Sequence, residues 1–189
     1  MNKTTYQILI GSLLGDGCIA KNNSKCKNYS FKEMHCVEQS EYVEWKAKML
    51  SCFGAIYCGK RPELFTKTKK LFTRLRKEMY DDKNHKHIIT NHHFDYLDLF
   101  GLLIWYLDDG TWQKGQLNIS CKSFNSKQLT KLVNILNKKY NISLKLYEYD
   151  YSKIISFRKE SSKRILPLWK DMFVEHKIPK SMFYKLTGE

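Results

Sequence analysis

Apolar residues recur every three or four positions in several stretches of the chain, which is the spacing of an amphipathic helix. The stretch SKQLTKLVNILNKKYN, residues 126–141, is the clearest of these. Other stretches alternate between apolar and polar residues, as GQLNISCKSF does at 115–124, and such alternation is typical of a half-buried strand. The pattern therefore predicts a chain that mixes helices with strands.

A run of such elements occupies the first part of the chain. In order, these are a helix from Thr4 to Gly15, a strand in KNYSFKEMHCV, a helix in SEYVEWKAKMLSCFG, a hairpin in AIYCGKRPELFTK, and a helix that carries Leu71, Leu75 and Met79. Ser40 is the expected N-cap of the second helix, and Gly54 is its expected end.

The second part of the chain repeats this order. It contains a helix in LDLFGLLIWYLDDG, a strand in GQLNISCKSF, a helix in SKQLTKLVNILNKKYN, a hairpin formed by ISLKLYEY and KIISFRK, and a helix marked by Ile165, Leu168, Trp169 and Met172. Each part thus reads as helix, strand, helix, two strands, helix. A repeat of half the chain length favours one pseudo-twofold α+β domain over two independent modules.

The composition of the chain predicts where the protein is located and whether its cysteines are paired. The chain has 189 residues, of which 42% are apolar, and this is enough to fill a core. It contains neither a 20-residue apolar run nor a secretory leader, so we expect an intracellular protein (bacterial or phage cytoplasm, or organelle matrix) without a membrane partner. The six cysteines form no dense framework and are expected to be free thiols.

The charge of the chain indicates a partner. With 33 lysines and arginines against 19 aspartates and glutamates, the net charge is +14, and the basic residues are spread along the chain. Such a surface suits a polyanion, since each phosphate that it neutralises releases counterions. The alternative interpretation is that the charge serves solubility alone.

Two apolar helices end on a charge. The stretches LIGSLLGDG and LLIWYLDDG finish with Asp16 and Asp109, each followed by a glycine, Gly17 or Gly110, that can adopt the left-handed conformation common at helix ends. If the helices pack side by side, helped by small residues in the first, both carboxylates meet at one edge. Two adjacent carboxylates repel unless a cation lies between them, and hard oxygen ligands suit Mg²⁺.

These two stretches resemble the signature helices of LAGLIDADG homing endonucleases in the single-chain form that carries both motifs. The resemblance implies two αββαββα halves, 1–95 and 96–189, with the signature helices at their interface and two antiparallel sheets forming a saddle over DNA. It also implies Mg²⁺-dependent hydrolysis of both strands of double-stranded DNA, leaving short 3′ overhangs. The expected partner is a long, non-palindromic site bound by a monomer.

The resemblance assigns roles by position in the motif. Asp16 and Asp109 match the catalytic aspartates, while Gly15 and Asp108 match positions that offer backbone carbonyls to the metal. Asp108 departs from the small residue usual in the family, and it stays open as an alternative ligand to Asp109. The lysine that recurs near the end of each half matches Lys86 and Lys185. In the first half, three neighbours compete with Lys86: Lys83, His85 and His87.

The strands supply candidate DNA contacts. If Leu117 and Ile119 face the core, the alternate residues face outward and can meet base edges: Gln116, Asn118, Ser120 and Lys122. Further candidates, mostly for phosphate contacts, lie on or beside the matching strands: Lys21, Lys25, Lys32, Lys60, Arg61, Lys67, Lys145, Tyr147 and Lys153.

Two other functions share this pattern. An RNA maturase could use the same fold and charge to assist splicing of its host intron, which would add intron RNA to the partners. A cleavage-silent relative could act as a DNA-binding regulator, although the two intact aspartates argue against silence.

Overall fold

The computed structural model describes residues 2–81, 86 and 96–187. In the first half of the described chain the elements are α1 (Lys3–Leu14), β1 (Cys18–Ala20), β2 (Ser30–Met34), α2 (Ser40–Met49), β3 (Ile56–Cys58), β4 (Glu63–Phe65) and α3 (Lys70–Met79). In the second half they are α4 (Leu99–Asp109), β5 (Gly110–Gln113), β6 (Gln116–Ser120), α5 (Ser126–Tyr140), β7 (Leu144–Tyr149), β8 (Ser152–Phe157), α6 (Lys159–Glu175) and α7 (Tyr184–Thr187).

Each half forms one four-stranded antiparallel sheet. The strand orders are β1-β2-β4-β3 and β5-β6-β8-β7, so the two sheets have the same topology. This confirms the predicted α+β architecture of two αββαββα halves. The hydrophobic pattern alone had indicated a single strand after each leading helix, whereas the structure has two. The missed strands, β1 and β5, are three and four residues long, too short to show an alternation.

The interface between the halves is built from α1 and α4, which pack side by side in parallel. A Cβ atom on Gly11 would lie 2.4 Å from the carbonyl oxygen of Gly101 and 2.7 Å from the Cβ of Ile104, so only glycine permits this approach. Gln7 bridges the start of α4, since its amide oxygen accepts from the backbone of Asp98 at 3.0 Å. The predicted role of small residues is confirmed for the first helix, and Gly101 adds a glycine from the second.

Each sheet packs its helices on one face and leaves the other face open. On β6, Leu117 and Ile119 are fully buried against the helices, as predicted, while the residues between them face the opposite side. Along β2 the same alternation places Phe31 and Glu33 on the core side and Lys32 on the open side. The open faces therefore carry the side chains that are available to a partner.

Several local predictions need correction. Ser40 is the first residue of α2 rather than its N-cap, and Gln39 before it makes no side-chain cap. Gly54 ends a short 3-10 turn that follows α2, in the left-handed conformation at φ 66°. Leu168 lies on the outer side of α6, with 42% of its surface exposed, while Phe173 takes a core position. The four-residue stripe predicted for α5 is confirmed.

Among the described residues, no helix combines the length and apolar content that crossing a bilayer requires.

Candidate functional site

The C-terminal ends of α1 and α4 bring two aspartates to one edge of the fold. Asp16 follows α1 and its side chain is 41% exposed, whereas Asp109 is the last residue of α4 and is half-buried. Burial raises the pKa of Asp109 to about 6, and the nearby charge of Asp16 adds to this rise. The two carboxylates therefore repel each other across the helix interface.

The glycines after these aspartates serve close packing. Neither is among the described glycines with positive φ, and Gly110 is extended at φ −87°, so the left-handed conformation expected from the sequence is wrong. A Cβ atom on Gly17 would lie 2.5 Å from the ring of Phe31, and one on Gly110 would lie 2.2 Å from the carbonyl oxygen of Tyr106. Neither position has room for a larger side chain, so glycine is required where each helix end leads into the next strand.

Two lysines approach the same helix ends. The Nζ of Lys86 donates to the carbonyl oxygen of Gly15 at 2.6 Å, and the Nζ of Lys185 donates to that of Gly110 at 2.8 Å. Lys185 also lies 3.4 Å from the carbonyl oxygen of Asp108. Positive charge here complements the negative ends of the helix dipoles. Burial lowers the pKa of both lysines.

The C-terminal segment holds Lys185 in place. Met182 and Leu186 are fully buried, and the hydroxyl of Tyr106 donates to the carbonyl oxygen of Lys185 at 2.6 Å. The segment folds back onto α4 and does not fray, as its apolar residues predicted, although Phe183 remains 36% exposed. The competitors that the sequence left open for Lys86, namely Lys83, His85 and His87, lie outside the described residues.

The oxygens at the helix ends fit a divalent cation. Two carboxylates close enough to repel are hard oxygen donors of the kind that divalent cations prefer, while the carbonyl oxygens of Gly15 and Asp108 face the ammonium groups of Lys86 and Lys185. Among the described residues, side-chain ligand atoms of Asp16, His35 and Asp108 also lie within 4.8 Å of one another. The Asp108 carboxylate, however, is occupied by other partners.

Asp108 points into the protein. Its carboxylate accepts from the Nζ of Lys46 at 2.7 and 3.0 Å and from the hydroxyl of Tyr42 at 3.0 Å, and no part of its side chain reaches solvent. Lys46 therefore pairs with the carboxylate of Asp108 and not with that of Asp109, which favours Asp109 as the metal ligand. The sequence alone left this choice open.

Sequence reasoning missed the buried polar residues behind the site. Glu33 and Lys46 are fully buried and paired with each other, and His35 contacts both Glu33 and Asp16. Two signals were present in the pattern. Lys46 lies next to Ala47 on the apolar stripe of α2, and Glu33 takes the core-facing position that follows Phe31 on β2.

The open face of the second sheet forms a groove of ≈350 Å³ that begins at Asp109. Four of the predicted contact residues line it: Gln116, Asn118, Ser120 and Tyr147. Lys145 lies opposite Ser156, a lining residue, and is exposed on the same face, while Lys122 is exposed in the turn after β6. Lys153 is different, because its Nζ donates to the carbonyl oxygen of Phe124 at 2.6 Å on the helix side of the sheet.

The open face of the first sheet has a different chemistry. Lys32 lies there, opposite Cys18 and Phe65, together with the exposed apolar side chains of Met34 and Ile56. The remaining predicted basic residues are exposed at the rim, in the β1–β2 loop, the β3–β4 turn or after β4: Lys21, Lys25, Lys60, Arg61 and Lys67.

Solved structures share this fold. The homing endonuclease I-WcaI bound to its DNA recognition sequence is 20% identical, with a TM-score of 0.77 over 98% of this chain and 86% of that chain. I-DmoI in complex with DNA and Mn is 14% identical, with a TM-score of 0.57 over 87% of this chain and 95% of that chain. At these identities the likeness concerns the fold.

Sequence comparisons identify a family. The pattern of the LAGLIDADG DNA endonuclease family matches residues 6–165. Protein RecA of Mycobacterium shimoidei is 28% identical over 111 residues, 57% of this chain and 26% of the relative. Cytochrome b mRNA maturase bI2 of Saccharomyces cerevisiae is 26% identical over 214 residues, 98% of this chain and 48% of the relative. The chain spans about a quarter of the first protein and about half of the second.

Proposed function

Because this chain belongs to the LAGLIDADG DNA endonuclease family, we propose that it is a site-specific homing endonuclease that hydrolyses both strands of a DNA duplex with Mg²⁺, leaving short 3′ overhangs. The observation that carries the proposal is the convergence of Asp16 and Asp109 at the ends of α1 and α4, beside Lys86 and Lys185. Phosphodiester hydrolysis needs such a set of oxygen ligands and cations at one place.

In this proposal, Asp16 and Asp109 hold the divalent cation, helped by the carbonyl oxygens of Gly15 and Asp108. A bound Mg²⁺ supplies Lewis-acid stabilisation of the charge that develops on the phosphate and a more acidic water as the nucleophile. The repulsion between the two carboxylates, which raises the pKa of Asp109, is relieved when a cation is present. Binding of a cation is therefore the role that we propose for the two acids.

The two lysines complete the charge balance. Lys86 and Lys185 place one ammonium group beside each helix end, where each can stabilise the negative charge of a phosphate in the transition state. Burial strengthens this interaction, because a charge in a drier environment is less screened. Each lysine is therefore proposed to serve one strand of the duplex.

The direct test is cleavage of a library of long duplexes in Mg²⁺, followed by sequencing of the new ends. We expect cuts on both strands, offset to leave short 3′ overhangs, at one group of related sequences. A folded protein that binds duplex DNA and yet cuts no member of the library in Mg²⁺ or Mn²⁺ would contradict the proposal. In that case the regulator alternative would take its place.

The two open faces are proposed to read different bases. Gln116 and Asn118 carry amide groups that can pair with base edges in the major groove. Met34 and Ile56 on the first sheet suit the methyl groups of thymine. A protein with two unlike faces should therefore bind one long site without palindromic symmetry.

We expect Asn118→Ala to relax the base preference at one position and to cost about 1–3 kcal/mol of affinity for the preferred site. Lys145→Ala should instead weaken binding to all sequences evenly and make it less dependent on salt. Lys153→Ala is the matched control from the same hairpin, because its ammonium lies on the helix side and should change neither property. Binding profiles of a randomised duplex library at two salt concentrations measure all three variants.

We expect a monomer to occupy each duplex, because this chain contains both halves of the fold. Sedimentation of the protein with its selected duplex should give one chain per DNA. Two chains per duplex would contradict this expectation, and a preference for palindromic sites in the library would do the same.

A second candidate function is intron splicing. The alignment with the maturase bI2 covers 98% of this chain, which favours an RNA-directed activity on the same fold. A splicing assay on an intron that carries this reading frame tests it, since a maturase accelerates splicing whether or not the protein cuts DNA.

A further inference from the structure

A buried chain of charged and polar side chains crosses the interface between the halves. At its centre, the Nζ of Lys46 on α2 is paired with the Oε1 of Glu33 on β2 and with both carboxylate oxygens of Asp108 on α4. None of these three side chains reaches solvent. Burial opposes the charge on Lys46, but the two carboxylates outweigh it and keep its pKa above the usual value.

The chain continues to the other helix end. The Nε2 of His35 contacts the Oε1 of Glu33 at 2.6 Å. The Nδ1 of His35 is hydrogen-bonded to the Oε1 of Gln39 at 2.8 Å and makes a longer charge contact of 3.5 Å with the Oδ2 of Asp16. A connected series of side chains thus runs from Asp16 through His35, Glu33 and Lys46 to Asp108, the residue that precedes Asp109.

Asp108 also fixes the two helix ends against each other. A Cβ atom on Gly15 would lie 2.6 Å from the Cβ of Asp108 and 2.6 Å from its Oδ2, so the Asp108 side chain lies directly over the backbone of α1. The Tyr42 hydroxyl, which donates to Asp108 at 3.0 Å, holds this side chain from the first half. The last turn of α4 is therefore tied to α1, α2 and β2 at once.

The equivalent positions of the repeat in the other half carry uncharged residues. Gly15 matches Asp108 in the repeat, since each precedes a motif aspartate. Ile119 matches Glu33, because the opposed pairs Cys18–Lys32 and Thr111–Asn118 align β2 with β6. Leu132 matches Lys46, because the buried positions of α2 and α5 have the same spacing. Packing alone therefore does not require the charged set.

Stability does not explain the charged set either. Removing two carboxylates and an ammonium from water can cost more than their pairing returns, and buried ion pairs can often be replaced by well-packed apolar residues of similar volume without loss of stability. Here the Oε2 of Glu33 is also buried without a hydrogen-bond partner among the described residues, which adds to the cost. Charge-assisted hydrogen bonds do, however, fix the orientation of the side chains that they join.

We propose that Lys46 is a positioning residue for the two motif carboxylates: through Asp108 it fixes the turn from which Asp109 projects, and through Glu33 and His35 it orients Asp16. This inference rests on the proposed function, because it assumes that the two aspartates hold a divalent cation. Partners that orient metal ligands commonly change metal affinity or activity by 10- to 100-fold when they are removed.

The test uses a charge-free triple variant, Glu33→Gln with Lys46→Met and Asp108→Asn, in the full chain. The substitutions keep the approximate side-chain volumes, and the two new amides retain His35 and Tyr42 as hydrogen-bond partners, so the variant should melt at a higher temperature than Lys46→Met alone. It should bind duplex DNA in EDTA within about threefold of the parent. The concentration of Mn²⁺ that half-saturates the protein–DNA complex, followed by electron paramagnetic resonance, should rise at least about tenfold. Single-turnover cleavage should fall by a similar factor.

Three further variants, one of them a control, keep the test decisive. Lys46→Met alone leaves two buried carboxylates without the ammonium that they share and should lower the melting temperature by roughly 8–15 °C. Tyr42→Phe removes one bond to Asp108, and should raise the half-saturating Mn²⁺ concentration about threefold with nearly parental melting. Leu132→Met, at the matching position of the second half, is the control and should leave the Mn²⁺ titration unchanged.

A parental Mn²⁺ titration for Tyr42→Phe, and for the triple variant if it folds, would overturn the positioning role. So would a parent complex whose Mn²⁺ binding does not depend on Asp16 and Asp109. The titration is separate from cleavage: if the parent binds Mn²⁺ through these aspartates but cuts no duplex, the proposed function fails while the positioning role is still decided.

Discussion

Asp16→Asn and Asp109→Asn should each abolish double-strand cleavage while leaving the affinity for duplex DNA unchanged or higher. Each change removes the charge of a proposed metal ligand without removing a phosphate contact, and it lowers the repulsion between the protein and DNA. A loss of about 4 kcal/mol of transition-state stabilisation corresponds to roughly a thousandfold in rate. Single-turnover cleavage and duplex binding in EDTA measure the two effects separately.

Asp150→Asn is the matched control, since this carboxylate is exposed in the β7–β8 turn and belongs to neither motif helix. The more informative contrast is Asp108→Asn, which alters the partner of Lys46. If Asp109→Asn cut at the parental rate while Asp108→Asn was inactive and melted normally, the assignment of the second ligand would move by one residue.

Lys185→Met should slow cleavage roughly a hundredfold, while the C-terminal segment stays docked and DNA affinity changes little. About 2.7 kcal/mol of lost electrostatic stabilisation gives this factor. The backbone contact from Tyr106 and the buried side chains of Met182 and Leu186 do not depend on the ammonium, so the segment keeps its place. Removing the chain from Ser181 onward is a weaker test, because it also opens the core.

Lys180→Met is the control for Lys185→Met, since this exposed lysine lies in the same segment without reaching the helix ends. Lys86→Met should produce a comparable loss on the other strand, seen as accumulation of nicked duplex. A Lys185→Met protein within about threefold of the parental rate would remove this lysine from the proposed site.

The order of elements could be predicted from the sequence because it depends on local pattern. The stripe of α5 and the alternation of β6 are properties of consecutive residues, and both were confirmed. The repeat of this order, with an aspartate at the end of each leading helix, indicated the pseudo-twofold arrangement. Strands β1 and β5 were missed because three or four residues carry too little pattern to detect.

The direction of individual side chains was harder to predict. Lys153 was grouped with the DNA contacts because it lies on a strand of the second sheet, yet its ammonium is on the helix side. The spacing of Leu168 with Ile165 and Trp169 predicts the last helix, but Leu168 lies on the exposed side of α6. A one-residue difference in phase decides such cases, and the phase is set by what packs against the element.

The sequence by itself determined the helices and the longer strands, their repeated order and the positions of the two motif aspartates, since helix and strand periods are local properties of the chain. Only the tertiary structure decided the partners of the buried charges. Glu33, Lys46 and Asp108 are far apart in sequence, and each alone looks like a polar residue in an apolar pattern. Close packing of α1 and α4 brings the ammonium of Lys46 between the carboxylates of Glu33 and Asp108, in a place that water does not reach. The pairing therefore depends on contacts that the local pattern does not contain.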